Sequence, residues 1–296
     1  CSRNYNGYGV RDNFPLKDMS IDEFKKLMDP VLANKPFLLS LCGTYGDPAA
    51  NKQCLEILEY VNTEYPHVEI ILSSNASMKT ISWWANLAKI SNLKIEFALD
   101  GLADTHHIYR QNTSWQKVIN NATAFIQAGG YAVWQFIQFE HNKHQFYKCK
   151  DLSRQLGFAE FKHFDDNRSN GIAFKPDGTP FVLGTSQQQT ITAPEFVEQE
   201  KYLQRQYELN LQHEFDRDLK VDTIECYSQE GNIYVAVNGD IWPCCWLGGT
   251  FPLTSDSDNG WQLKKLPVIV NGLEHSLEEI IASWNYISNT WDTKEP

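Results

Sequence analysis

PFLLSLCGTYGDP, Pro36 to Pro48, sets a short apolar run against a loop that holds two glycines and an Asp-Pro step. The run Pro36 to Cys42 has the length of a buried strand and breaks at Gly43, and Asn51 to Glu64 then carries apolar residues at helical spacing. Working outward, the same alternation returns. Val68 to Leu72 is followed by Thr80 to Ile90, Lys94 to Leu99 by Trp115 to Ala128, and Tyr131 to Phe139 by Gln145 to Leu156, before a last strand at Ala159 to Phe164. Strands separated by helical patterns of this length form right-handed βαβ units and a parallel sheet, not a meander. The expected fold is therefore α/β, a barrel or partial barrel. Ile21 to Leu32 reads as the helix ahead of the first visible strand, which implies a further strand upstream of Cys1.

Bulk properties narrow the function. A chain of 296 residues is long enough for about two domains, and 42% hydrophobic residues are enough to build cores. The formal charge of -11 would repel a phosphate backbone, so nucleic acid is excluded as a first partner. No apolar run approaches the roughly 20 residues of a membrane span, and the first residues lack the layout of a secretory signal. The expected compartment is the cytoplasm. Seven cysteines in such a chain favour reduced thiols or metal ligands over a disulfide framework. Cys42, Cys54 and Cys149 read as buried or half-buried small hydrophobes.

In a βαβ fold the loops after the strand C-termini build the site, because helix N-termini with free backbone N–H groups converge there. Those loops are polar: Gly43 to Pro48, Ser73-Ser74-Asn75, Leu99-Asp100-Gly101, Glu140-His141-Asn142 and His163 to Asp166. Singly, each has a structural alternative, Gly46-Asp47-Pro48 as a turn and helix start, Asn75 and Asp100 as N-caps. Their common rim is what points to a site. His106 and His107, in DTHHIYR, read as solvated loop residues without paired zinc spacing.

Downstream, Lys175 to Gln189 is rich in turn formers and reads as a link, Glu195 to Phe215 as a polar helix and Leu277 to Trp291 as a helix packing on a small domain. The expected division is 1–175, 176–219 and 220–296. In the last part, GNIYVAVNGDIWPCCW (Gly231 to Trp246) places Asn238-Gly239, a two-residue hairpin signal, between alternating strands. The turn would carry Cys244 and Cys245 back toward Cys226. Three thiols there suit an iron–sulfur cluster, a structural zinc or a reactive vicinal pair.

Taken in order, these motifs resemble the radical SAM enzyme family with a C-terminal SPASM or twitch extension. Cys1 resembles the last cysteine of the family's CxxxCxxC loop, Tyr45-Gly46-Asp47-Pro48 its GGEP motif, and Asn75 its TNG-like position. Asp100, Arg110 and Asn142 fall near family site positions. Cys226, Gly239 and Cys244 resemble the C-x(9–15)-G-x4-C pattern of an auxiliary iron–sulfur cluster, with Cys245 adjoining.

The resemblance implies a partial (β/α)6 radical SAM barrel lacking its first strand, then a small β-hairpin plus helix domain. It implies a 4Fe-4S cluster on Cys1 and two absent cysteines, making Cys1 catalytic. S-adenosylmethionine would lie against Gly46, Asp47, Pro48, Asn75, Asp100, Arg110 and Asn142, and an auxiliary cluster on Cys226, Cys244 and Cys245. The implied activity is reductive cleavage of S-adenosylmethionine to a 5′-deoxyadenosyl radical that abstracts hydrogen from a substrate, possible substrates including a peptide or protein, with an electron donor protein as partner. No cysteine follows Cys245, so a fourth ligand would be a non-cysteine residue, His275 being one candidate, the substrate, or nothing. Two alternatives stay open, a non-catalytic zinc-stapled binding module and a SAM-dependent methyltransferase. The upstream coding sequence is expected to hold cysteines three and seven residues before Cys1, and reading it without them would remove the cluster-loop assignment.

Overall fold

A computed structural model describes residues 4–5, 8–10, 17–43, 46–165, 172–174, 179–183, 232–243 and 270–284. In chain order the strands and helices are β1 (Asn4–Tyr5), β2 (Tyr8–Val10), α1 (Ile21–Leu32), β3 (Leu38–Leu41), α2 (Cys54–Glu64), β4 (Glu69–Ser74), α3 (Ile81–Leu87) and β5 (Leu93–Ala98). There follow α4 (His106–Tyr109), α5 (Trp115–Gln127), β6 (Tyr131–Gln138), α6 (Phe146–Leu156), β7 (Glu160–Asp165), β8 (Ile172–Phe174), β9 (Pro180–Val182), β10 (Tyr234–Val235), β11 (Ile241–Trp242) and α7 (Leu277–Ser283). Strands β3 to β7 form one five-stranded sheet in sequence order, parallel between β5, β6 and β7, as successive βαβ units require. This is the α/β architecture of a partial (β/α) barrel.

The chain divides into two compact units, one of Cys1–Val10, Ser40–Ala49 and Ile71–Ile224, the other of Arg11–Leu39, Ala50–Ile70 and Glu225–Pro296. In the first, register sorts the strand residues onto two faces, because side chains alternate along a strand. Phe97, Trp134 and Phe161 occupy paired positions on one face, and Phe136 shares it. This face meets the helices through aromatic rings. Trp84 of α3 and Phe125 of α5 lie 5.6 and 6.0 Å from Phe97 between ring centroids, and Phe146 of α6 lies 5.6 Å from Phe161. The opposite face carries Lys94 and Glu96, with Tyr131, Gln135 and Lys162 in register. Apolar outside and polar inside, the sheet has the sidedness of a barrel that lines a site.

In the second unit, α1 starts with a capping box. Glu23 N–H donates to Ser20 Oγ at 3.2 Å while Ser20 N–H donates to the Glu23 carboxylate at 3.0 Å. Phe24, Leu27, Met28 and Leu32 then form one buried stripe. Helix α2 buries Cys54, Ile57, Leu58 and Val61 in the same spacing. Tyr60 and Tyr65 both donate to Asp29 Oδ1, at 2.7 and 3.1 Å.

Strands β10 and β11 pair as the expected hairpin, with Tyr234 opposite Trp242. The turn differs from the two-residue reading. Ala236 N–H donates to Asp240 O and Gly239 N–H to Ala236 O, so Val237, Asn238 and Gly239 form a three-residue loop. Gly239, at φ +96°, takes the left-handed position that closes such a loop with a bulge. The segment read as an irregular link contains β9, antiparallel to β8. Phe181-Val182-Leu183 is the apolar run in the sequence that marks it, Leu183 is buried, and Pro180 stands at the strand's first position, where a missing N–H is tolerated. The expected polar helix over Glu195 to Phe215 lies outside the described residues, as does the end of the expected terminal helix beyond Trp284. No helix among the described residues is long and apolar enough to cross a membrane.

Trp134 is fully buried and donates from Nε1 to Leu99 O at 2.8 Å. Trp134→Ala is expected to destabilise the protein by about 3–5 kcal/mol and Trp134→Phe by less, measured by denaturant unfolding. Equal small losses would remove the aromatic layer as the main source of cohesion.

Candidate functional site

The rim is built from loops whose backbones are individually pinned. After β3, Gly43 adopts φ +59°, and a Cβ there would lie 2.0 Å from Gly46 O, so this tight turn admits only glycine. It delivers Gly46, Asp47 and Pro48. The Asp47 carboxylate accepts from Ala49 N–H at 3.0 Å, from Ser74 Oγ at 2.8 and 2.9 Å, and from Asn75 N–H at 2.8 Å. Asp47 thus serves as a turn cap and also ties the loop after β3 to the end of β4. Beyond it, Asn75 Oδ1 accepts from Ser77 N–H, an Asx turn, not a helix N-cap. Ala76 sits at φ +50°, a left-handed backbone without glycine. Its N–H donates to Ser74 Oγ and its carbonyl accepts from the buried Asn121 Nδ2, both of which hold it there.

A second cluster forms after β5 and β6. Asp100 is fully buried and not an N-cap. Its Oδ2 accepts from Arg110 Nε at 2.6 Å and its Oδ1 from Ile137 N–H at 2.7 Å. Asn142, also fully buried, accepts from Phe139 N–H at 2.7 Å and donates to Ile137 O at 2.9 Å and to Asp100 O at 3.3 Å. Burial works against the Arg110 charge, but the Asp100 carboxylate, with Tyr109 and Asp47 adding, raises its pKa above the ordinary value. Asp47 therefore shares a field with the second cluster. Arg110 uses only Nε among the described residues, and its side chain is 24% exposed, so both Nη groups are available to a ligand.

Two histidines depart from the sequence reading. His107 is exposed as expected, but His106 is fully buried. Its Nδ1 accepts from Asp100 N–H at 3.3 Å, which puts the proton on Nε2, 3.0 Å from Thr113 Oγ1. Burial, then the charges of Arg110 and His107, lower its pKa from 6.5 to about 4. The polar neighbours in DTHHIYR hid this role. Cys54 and Cys149 are buried, and desolvation pushes the Cys149 thiol up to about 12, while Cys42 is exposed, contrary to expectation. Its place just past β3, at the start of the rim loop, takes it out of the core.

A further cluster went unread. Glu96, 8% exposed, accepts from Ser73 Oγ at 2.9 Å, Gln135 Nε2 at 2.6 Å and Lys162 Nζ at 2.7 Å, so four adjacent strands each give one residue. A buried carboxylate needs such pairing. The available signal was the period of Lys94, Glu96 and Ala98, which sets a lone acid on the face opposite Phe97. His275 is exposed, with Nδ1 3.8 Å from Glu279. Cys1, Cys226, Cys244 and Cys245 lie outside the described residues, among which no three His, Cys, Asp or Glu side chains converge as a metal site.

His106 should make stability depend on pH. The unfolded state binds a proton below about 6.5 that the folded state refuses until about 4, so stability falls on acidification through that window. The loss attributable to this ring is on the order of 3 kcal/mol. Unfolding free energies measured from pH 7 to 4 should show a flatter profile for His106→Gln; equal slopes would refute the assignment.

No family model and no curated protein sequence matches this chain. Solved structures do. SuiB of Streptococcus suis, in its structure bound to S-adenosylmethionine, superposes with a TM-score of 0.56 at 14% identity, over 92% of this chain and 60% of SuiB. SuiB bound to the precursor peptide SuiA gives 0.52 at 13%, over 81% of this chain and 55% of that one. Histidine-tagged anSMEcpe with bound AdoMet gives 0.55 at 13%, over 95% of this chain and 73% of that one. The chain thus spans about three-fifths of SuiB, and what it shares with both proteins is the partial (β/α) barrel fold.

Proposed function

We propose that the complete protein is a radical SAM iron–sulfur enzyme that modifies a peptide or protein. One observation carries the reading: the loops after β3 and β5 present a fixed acidic turn at Asp47 and an arginine, Arg110, held by Asp100 with two uncommitted Nη groups. The methionyl end of S-adenosylmethionine is a zwitterion, and this pair of features complements it. Asp47 spends its carboxylate on Ser74, Asn75 and Ala49, so the ammonium would fall to the backbone of the Gly46-Asp47-Pro48 loop, where the Gly46 carbonyl stands just ahead of the turn Pro48–Ala50. Arg110, steadied by Asp100, would take the carboxylate through its planar fork. Asn75 and Asn142 hold the loops on either side. That SuiB and anSMEcpe, with the same fold, were solved with S-adenosylmethionine or AdoMet, and each also with a peptide, supports both cofactor and substrate class.

Cys1 would be one ligand of a 4Fe-4S cluster, and Cys226, Cys244 and Cys245 would hold an auxiliary cluster, with 1–175 as barrel, 176–219 as linker and 220–296 as cluster domain. The cluster supplies, when bound and reduced by an electron donor protein, the electron that cleaves S-adenosylmethionine to methionine and a 5′-deoxyadenosyl radical. This chain's own residues bind and orient the methionyl group and keep the polar rim rigid. Thiolate ligands of this kind suit the reducing cytoplasm.

Anaerobically reconstituted full-length protein should be brown and release 5′-deoxyadenosine, and Cys226→Ala or Cys244→Ala should lower its iron and sulfide. Arg110→Lys, which keeps the charge beside Asp100 but loses the fork, should weaken S-adenosylmethionine binding about tenfold by calorimetry. S-adenosylhomocysteine as product would select methyl transfer instead. Colourless protein with zinc would select a binding module.

A further inference from the structure

Strand β7 ends the five-stranded sheet, so only one of its two sides is used for pairing. Along a strand, the backbone N–H and C=O of one residue point to one side and those of the next residue to the other. Ala159 N–H donates to Ala132 O at 2.9 Å, which turns the backbone groups of Phe161 and His163 toward β6 and those of Glu160, Lys162 and Phe164 away from it. The outward N–H and C=O groups of Glu160, Lys162 and Phe164 have no partner among the described residues. A row of unpaired main-chain donors and acceptors is a template for one more strand.

The side chains beside that row narrow the guest. Those of Glu160, Lys162 and Phe164 share the polar face of the sheet, in register with Val133, Gln135 and Ile137. Glu160 is engaged, since its Oε1 accepts from the Tyr131 hydroxyl at 2.7 Å. Lys162 gives one N–H to Glu96, whose carboxylate also holds Ser73 and Gln135, and its other two donors have no partner among the described residues. Its side chain is 38% exposed, and the Phe164 ring, two residues on, is 47% exposed. A lysine on an edge strand guards against pairing with a second copy, whereas an acidic side chain laid opposite turns the same charge into attraction. The guest that fits is an extended segment with an acid at one position and an apolar side chain two residues away.

We propose that the outer edge of β7 binds the peptide substrate as an added strand, its main chain paired with Glu160, Lys162 and Phe164, an acidic side chain against Lys162 and an apolar one against Phe164. In this mode the main-chain hydrogen bonds supply affinity and the alternate side chains supply specificity. The side chains so placed continue the face that carries the Glu96 cluster. That the guest is a substrate rests on the peptide-modifying reading above, while the open edge stands without it.

The test uses 15N-labelled full-length reconstituted protein and a synthetic heptapeptide, acetyl-Thr-Val-Thr-Glu-Thr-Phe-Thr-amide. Its addition should slow amide hydrogen exchange at Glu160, Lys162 and Phe164 and leave Phe161 and His163, already bonded to β6, unchanged. Replacing the peptide's Glu by Gln should weaken binding about fivefold by calorimetry. N-methylation of alternate peptide residues needs no protein variant: methyls on the set whose N–H groups face β7 should abolish pairing, and methyls on the other set should leave it. Equal effects from the two sets, or binding without the alternating protection, overturn the inference. Protection already present in the free protein and lost on dilution assigns the edge to a second copy and overturns it as well. Release of 5′-deoxyadenosine with exchange along β7 unmoved by the peptide removes the inference and leaves the enzyme reading. Pairing at β7 in a protein that releases no 5′-deoxyadenosine removes the enzyme reading and leaves the edge as a peptide site.

Discussion

The Asp100 carboxylate is sealed from solvent, and each of its oxygens is committed to a different part of the chain. One takes the Arg110 side chain from the end of α4, the other the Ile137 backbone in β6, while its own carbonyl receives Asn142 from the loop after β6. A single residue therefore sets the spacing of two strand ends and the loops that leave them. Removing one partner would strand the other's polarity inside the protein, so the arrangement resists piecemeal change. The orientation of Arg110 and the position of His106, which receives the Asp100 N–H, follow from it.

Behind that rim lies a sheet with two chemistries. The helix-facing side is a run of tilted, edge-to-face and stacked rings from Trp84 to Phe146, whose interlocking geometry resists sliding. The other side carries the Glu96 cluster, in which Ser73, Gln135 and Lys162 converge on one carboxylate. Rigid packing on one side lets the opposite side hold charge at defined positions, since the strands cannot shift to relieve it.

The alternation of strands and helices was legible because period and length report backbone class directly, and the helix Ile21–Leu32 coincides with its expected span. The rim was legible because glycines and short polar residues after apolar runs mark strand ends. Asp47, Asn75, Asp100, Arg110 and Asn142 do fall into two linked clusters there. What local pattern could not reveal was pairing across distance. Lys162 stands 66 residues from Glu96, and nothing near either position announces the other. His106 misled because burial depends on what folds over a segment, and Asp104, His107 and Arg110 make its neighbourhood look wet. The loop at Asn238-Gly239 misled in a smaller way, since the same dipeptide serves both two- and three-residue connections.

Ala76 keeps a left-handed backbone that most side chains avoid, held by Ser74 and Asn121. A loop so constrained has already surrendered its freedom before any guest arrives. Association at this loop would then sacrifice little disorder in the host, and more of the strength of each new contact would be kept as affinity.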